Sequence, residues 1–458
     1  MRTWIIIFLL FPFTIDAQII TTWAGQGLGG GTDGLGDGLH QDSAIFYDPG
    51  SPFFDKMGNC YIADVLGYRI RKIDTFGVIT SIAGTGSAGY NGDGGLADTS
   101  KLNEPGAAIT DSIGNIYIAD AINHRVRKID HISGVISTIA GTGIQGYSGD
   151  NGLSINAKLI SPTQVCFDNN GNLLILDNTT VRKINKSGII TTIAGNGNST
   201  YISTVNGGLA DTSAIGATSG ICLDNHGNMF ISDFHNVKIY EVNNFGIIKT
   251  IAGTGMGYLY NGDNIPALSA QISPSNVKIN PKDGYLYFND NSPNNRIRMI
   301  DSAGVIHTVA GNGSNTYSGD NGLATSAGIP NPGGIGFDNC GNLYISQVGS
   351  PARIRKVTFD TSCHIHAAQT GGDTTKTGIQ NINANNIEIY PNPATDVLHI
   401  EVLQSIQYRL MNIVGAVVLQ GVLKVGSNSL DVTQLTSGMY VIELISKEGR
   451  IIRKVLKQ

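Results

Sequence analysis

Val135-Ile136-Ser137-Thr138-Ile139-Ala140-Gly141-Thr142-Gly143 is one of six copies of an Ile-Ala-Gly-x-Gly phrase in this chain. The others start at Ile19, Val78, Ile189, Ile247 and Val305, with Trp23 standing in for the Ile before Ala-Gly in the first copy and Val309 in the last. Their Ala-Gly glycines are Gly25, Gly84, Gly141, Gly195, Gly253 and Gly311, separated by 59, 57, 54, 58 and 58 residues. A period this regular marks a repeated supersecondary unit whose apolar faces are buried only against its neighbours.

Read between two phrases, one unit resolves into four short strands. After Ala83-Gly84 comes a glycine-rich insert (Gly89-Tyr90-Asn91-Gly92-Asp93-Gly94-Gly95) and a polar stretch to Pro105. Gly106–Thr110, Ile116–Asp120, Arg125–Ile129 and Val135–Ala140 then read as β-branched strands, broken by turn residues at Ser112–Asn115 and Ser133-Gly134. The Gly-Asn turn recurs as Gly58-Asn59, Gly171-Asn172, Gly227-Asn228 and Gly341-Asn342, with Asp283-Gly284 substituting once. Four-stranded meanders repeated radially are the propeller answer to exposed sheet edges.

Counting completes the architecture. The last unit supplies three strands, near Ile335–Asp338, Leu343–Ser346 and Arg353–Val357, and no fourth phrase follows. The first phrase strand, Ile19–Ala24, has no three strands before it. The economical reading lets Ile19–Ala24 complete the final blade, closing six blades into a ring without free edges. The stretches Gly114–Asp130 and Gly89–Leu102 resemble the NHL-repeat family, over about residues 19–357. The resemblance implies a six-bladed NHL propeller, most often a binding scaffold. Some related propellers are metal-dependent lyases or lactonases, and a structural surface-layer role is a third expectation.

Periodicity stops after Val357. Residues 359–386 are rich in Thr, Gly, Asn and Gln and read as a linker, while residues 387–458 alternate as a small β-sandwich. Tyr390-Pro391-Asn392-Pro393, the run Leu435–Val441 with Gly438 and Tyr440, and the closing Arg453–Gln458 with Lys454 and Lys457 appear in order. This tail resembles the type A C-terminal sorting domain of the type IX secretion system. It implies that secretion machinery as a partner and a secreted or cell-surface destination. At the other end, Arg2, the apolar Trp4–Phe13 and Ile15-Asp16-Ala17 read as a signal peptide over residues 1–17. The propeller is therefore expected over residues 18–358. No segment of the mature chain is long and apolar enough to read as a transmembrane helix.

The 458 residues carry a formal charge of −5, with 60 glycines and 14% charged residues. That balance gives no footprint for nucleic acid. The cysteines Cys60, Cys166, Cys222, Cys340 and Cys363 form no Cys-x-x-Cys pair, so neither a disulfide framework nor a zinc site is signalled, and a single opportunistic disulfide stays open.

Candidate ligand-binding residues fall first on the inserts: Tyr90/Asp93, Tyr147/Asp150, Tyr260/Asp263 and Tyr317/Asp320. An aromatic face three residues before a carboxylate could stack a sugar or peptide, or hold calcium through oxygen ligands. Turn-shaping Asp and Gly beneath a packed Tyr is the simpler reading of the same residues. No EF-hand spacing accompanies them, and no cofactor is expected beyond that calcium option. The second pattern is structural: an Asp ending the second strand faces an Arg opening the third in Asp64/Arg69, Asp120/Arg125 and Asp290/Arg296, with an Asp–Arg bond expected across each hairpin. Lys238 follows Asp233, blade 3 lacks the Arg after Asp177, and Gln347 replaces the Asp in blade 6. The nine histidines recur at no single repeat position, so no metal-ligand set and no catalytic triad is assigned. Lys278 is the lone charge on strands expected to line the channel.

Overall fold

The computed structural model describes residues 18–25, 36–198, 206–349 and 352–359, and in the tail 388–390, 396–402, 405–412, 417–446 and 449–457. The signal-peptide and linker readings, Pro391-Asn392-Pro393 and Cys363 lie outside them. The chain divides into two compact units, residues 1–369 and 370–458.

Six antiparallel sheets make up the first unit, one per repeat. In blade 2, Pro105–Thr110, Ile116–Asp120, Arg125–Ile129 and Ile136–Ala140 pair in chain order. The last blade takes its fourth strand from the other end of the propeller: Ile19–Ala24 pairs antiparallel with Arg353–Thr358, which continues through Leu343–Gln347 to Pro332–Phe337. Ring closure by the first phrase is therefore observed. Phe359, expected in the linker, instead packs against Tyr287, with ring centroids 6.1 Å apart.

The phrase glycines explain why the phrase is kept. Gly84 has φ +88°, and a methyl there would collide with the Tyr68 carbonyl one strand inward. Gly141, Gly195 and Gly253 meet the carbonyls of His124, Thr179 and Val237 in the same way. Only glycine combines that φ with that approach. The second glycine serves the neighbouring side chain: a methyl on Gly86, Gly143 or Gly313 would run into the guanidinium of Arg69, Arg125 or Arg296.

Each insert folds down the outer edge of its own blade and returns through a 3₁₀ turn to the blade before. One residue of that turn ties both blades. Ala97 O accepts from Gly84 N of blade 1 at 3.1 Å, while Ala97 N donates to Gly134 O of blade 2 at 3.0 Å. Gln41, Ser154, Ala210, Ala267 and Ala324 repeat the pattern, and at the closing interface the acceptor is Gln18 O. The inserts also cover the outermost strands, pairing Asn206–Leu209 with Ile247–Ala252 and Gly322–Leu323 with Ile19–Ala24. A propeller's remaining free edges are thereby blunted.

The second unit is a small β-sandwich. Glu388–Tyr390, Val397–Val402 and Gly426–Asp431 form one sheet; Val417–Leu423, Ile406–Asn412, Gly438–Ser446 and Gly449–Lys457 form the other. Leu398, Ile400, Leu410, Leu423, Ile442 and Val455 fill the space between them. Gly438 pairs with Lys457 and Val441 with Lys454, and the buried Tyr440 donates its hydroxyl to Thr436 O at 2.9 Å. Motifs far apart in sequence thus meet on one sheet.

The loop face as candidate binding site

Four-stranded meanders place the second-to-third-strand loops and the blade-to-blade inserts at one end of the ring. The first strands open there into a cavity of about 260 Å³ lined by Gly50, Gly106, Thr163, Ser219 and Gly333, with Asp48, Val65 and Val348 at its edge. Small residues let these strands approach closely: a methyl on Gly106 would strike Thr163 O, and one on Gly336 would strike Pro52 O.

Around this mouth stand large apolar side chains on the loops. Leu66, Ile122 and Phe234 are 49%, 45% and 51% exposed, and Tyr258 and Leu259 on the blade 5 insert are similarly open. Asp48 is the mouth's perturbed acid. Burial, then the charges of Asp64 and Glu104, push its carboxyl up to about 6.

The insert pairs turn inward more than outward. Asp93 accepts from Tyr90 Oη at 2.7 Å, from Thr138 Oγ1 at 2.7 Å and from the wholly buried Arg127 at 2.7 Å. Asp150 receives Arg182 and Thr192, Asp263 receives Arg298 and Thr308, and Asp320 receives Arg355 and Thr22. The tyrosines cover guanidinium groups: Arg125 lies 3.8 Å from the Tyr90 ring centre, Arg296 3.9 Å from Tyr260 and Arg353 3.6 Å from Tyr317. These are cation–π stacks within the blade. Tyr90, Tyr147 and Tyr317 keep one face toward solvent, at 37–41% exposure.

The hairpin pairs are corrected in detail. The register does set Asp64 opposite Arg69, Asp120 opposite Arg125 and Asp290 opposite Arg296. Yet these arginines bond carbonyls: Arg125 donates to Asn123 O and Thr142 O, Arg296 to Asn294 O and Asn312 O, Arg69 to Gly67 O and Thr85 O. The carboxylates take buried backbone donors instead, as when Asp64 Oδ1 accepts from Tyr47 N and Asp48 N at 2.9 Å. Asp120 and Asp290 reach the next-but-one arginine, Arg127 at 3.4 Å and Arg298 at 3.1 Å. The two arginines are two residues apart and share one face of the strand; the second lies beneath the insert, as where Arg127 bonds Asn91 O and Asp93.

That second position was the overlooked signal. Arg71, Arg127, Arg182, Arg298 and Arg355 occupy it in five blades, all with 0% exposure, and Tyr240 takes it in blade 4. Blade 1 lacks the Tyr-Asp pair, but Asp37 supplies the carboxylate to Arg71 at 2.7 Å. An Arg at the third position of the third strand, preceded by a first Arg in blades 1, 2, 5 and 6 and matched to one insert Asp, marks the clamp in sequence.

Histidines serve local bonds: His124 Nδ1 lies 2.7 Å from Ile160 O, and His307 bridges Asn264 and Asp301. Among the described residues no three His, Cys, Asp or Glu side chains converge as metal ligands. Cys340 is disulfide-bonded, and Cys60, Cys166 and Cys222 are free thiols. Burial pushes Cys166 and Cys222 up to about 12 against the charge of Lys278, leaving them unreactive at neutral pH.

Comparison with known proteins agrees with this geometry. Residues 388–458 match the secretion system C-terminal sorting domain, and residues 142–206 match the teneurin NHL domain. Mouse teneurin-3 is 26% identical over 338 residues, 66% of this chain but only 12% of that protein. Bovine NHL repeat-containing protein 2 is 28% identical over 348 residues, 69% of this chain and 47% of its own length. The chain thus spans less than half of either relative. A solved Bacteroides thetaiotaomicron VPI-5482 auxiliary nutrient binding protein superposes with a TM-score of 0.53 at 18% identity, over 74% of this chain and 76% of that one. At that identity the likeness concerns the fold.

Proposed function

Since this chain is a six-bladed NHL propeller with a type IX sorting domain that directs it out of the cell, we propose that it is a surface binding scaffold taking a protein or glycan ligand on its loop face. The observation that carries the reading is the set of exposed apolar side chains, Leu66, Ile122 and Phe234, around a polar mouth. Large apolar groups ringed by polar ones are what a recognition surface offers, since burying them on binding releases ordered water at little entropic cost to the rigid scaffold. The open faces of Tyr90, Tyr147 and Tyr317 extend that surface to the perimeter, where an aromatic ring could stack a sugar. Screening the full-length protein against glycan and peptide arrays tests this. Selective retention of one class is expected; retention of neither removes the scaffold reading.

One observation favours a second reading, acid–base chemistry at the mouth. A half-buried carboxyl held near pH 6 is poised to exchange a proton with a bound ligand. Turnover of a lactone or cyclic-ester panel, lost in Asp48→Asn with folding intact, would establish it; no turnover by the wild-type protein would dismiss it.

A further inference from the structure

At the end of the ring opposite the loop face, a cleft of about 500 Å³ opens between the outer strands of blades 1 and 2. Its apolar lining includes Ile82 from blade 1 and Leu96 from the blade 2 insert. Charged groups come from three separate elements: Lys72 on a strand of blade 1, Asp98 on the 3₁₀ turn, and Asp130 with His131 on a turn of blade 2. Asp130 commits Oδ1 to Ile132 N and to Ser133, leaving Oδ2 available. His131 turns Nδ1 toward Asn115 Oδ1 at 3.3 Å, leaving Nε2 available. Lys72 sits over the Tyr61 ring at 5.8 Å, so its ammonium is held beside the cleft rather than swinging freely.

The repeat provides its own controls, because every blade interface offers the same positions. The Lys72 position holds Lys128, Lys183, Glu241, Met299 and Lys356 in blades 2 to 6. The Asp98 position holds Ile155, Asp211, Leu268 and Thr325 in blades 3 to 6, and Asp42 in blade 1. The Asp130 position holds Asn185, Asn243 and Asp301 in blades 3 to 5, and Asp74 in blade 1. A lysine with two carboxylates therefore recurs only where blade 6 meets blade 1. There Trp23 occupies the Ile82 position, and its ring lies 4.8 Å from Tyr344 and 5.9 Å from Phe54, filling the gap between those blades. One interface alone combines the three charges with open space.

We propose that this cleft binds a short zwitterionic peptide. An apolar side chain lies on Ile82 and Leu96, the terminal ammonium meets Asp98 and Asp130 Oδ2, and the terminal carboxylate meets Lys72. A volume of this size suits a ligand of two or three residues. Apolar contact supplies affinity, and the separated charges fix direction. The site lies at the opposite end of the ring from the loop face, so its failure leaves the loop-face reading standing.

The test titrates the dipeptide Leu-Leu into the full-length protein by calorimetry, beside N-acetyl-Leu-Leu-amide, which has neither terminal charge. Saturable binding of Leu-Leu is expected, weakened about tenfold or more by blocking its ends, since charge-assisted bonds are lost. Asp98→Asn and Lys72→Met should each weaken it comparably, while Asp211→Asn, at the matching position between blades 3 and 4, leaves it unchanged. Ile82→Trp, which copies the filled interface, should abolish it. No saturable binding of Leu-Leu, or equal binding of the blocked dipeptide and by Asp98→Asn, overturns the proposal.

Discussion

Asp93 shows how a residue that looks like a ligand group in sequence becomes a structural one. Burial raises its carboxyl, but the hydroxyls of Tyr90 and Thr138 and the Arg127 guanidinium outweigh that and hold it below the ordinary carboxylate value. A depressed folded value contributes stability above the unfolded pKa near 4, and that contribution is lost as pH falls through the folded value. Asp93→Asn should therefore cost about 1–2 kcal/mol at pH 7, the range for one charge-assisted bond to a partly exposed group. Urea titrations at pH 7 and pH 3 check it: the gap from wild type should close at the lower pH. Asp48 behaves oppositely. Carboxyl-detected NMR should find it titrating near pH 6, and Glu104→Gln should lower that value by removing a nearby negative charge. The Tyr-x-Gly-Asp motif was legible in sequence, but its partner was not, because Arg127 lies 34 residues away and only the fold brings it to Asp93.

Among elements, the fourth strand and its glycine pair were read correctly as a repeated unit, though not for the reason they are kept. Gly84 and Gly188 separate the two demands placed on glycine. Both have positive φ, +88° and +77°, but a methyl on Gly84 collides with backbone while one on Gly188 meets nothing within 4 Å. Gly188→Ala should cost about 1 kcal/mol, the left-handed penalty alone. Gly84→Ala adds a steric clash of about 1–3 kcal/mol more. Thermal denaturation of the two variants measures the difference, and equal losses would contradict the packing account. The hairpin arginines mark where sequence reasoning falls short: spacing gives the register, but not which of two arginines on one strand the insert buries. Both share one face of the strand, and the second is the buried one because the insert, distant in sequence, folds over it.

At the scale of the whole molecule, the ring is closed by residues more than 300 positions apart. Ile19–Ala24 pairs with Arg353–Thr358, and Gln18 O takes the bond that a turn glycine accepts at the other five interfaces. Because each blade buries its face only against neighbours, removing residues 19–24 should expose two blades at once. Denaturation of that deletion should lose a single cooperative transition or shift it strongly downward, whereas an unchanged midpoint would mean that the ring does not need its seal. Six blades, their closure and the export tail were legible because each is a repeated or ordered motif; the ligand surface was not, because it is built from loops where the repeats disagree. Recognition by this protein turns on those loops being the binding face. The most direct measurement compares the full-length protein with its Leu66→Ser/Ile122→Ser/Phe234→Ser variant on one glycan and peptide array, alongside Asp93→Asn. Retention of ligand should disappear in the triple variant and persist in Asp93→Asn; undiminished retention by a folded triple variant would place recognition elsewhere and contradict the account.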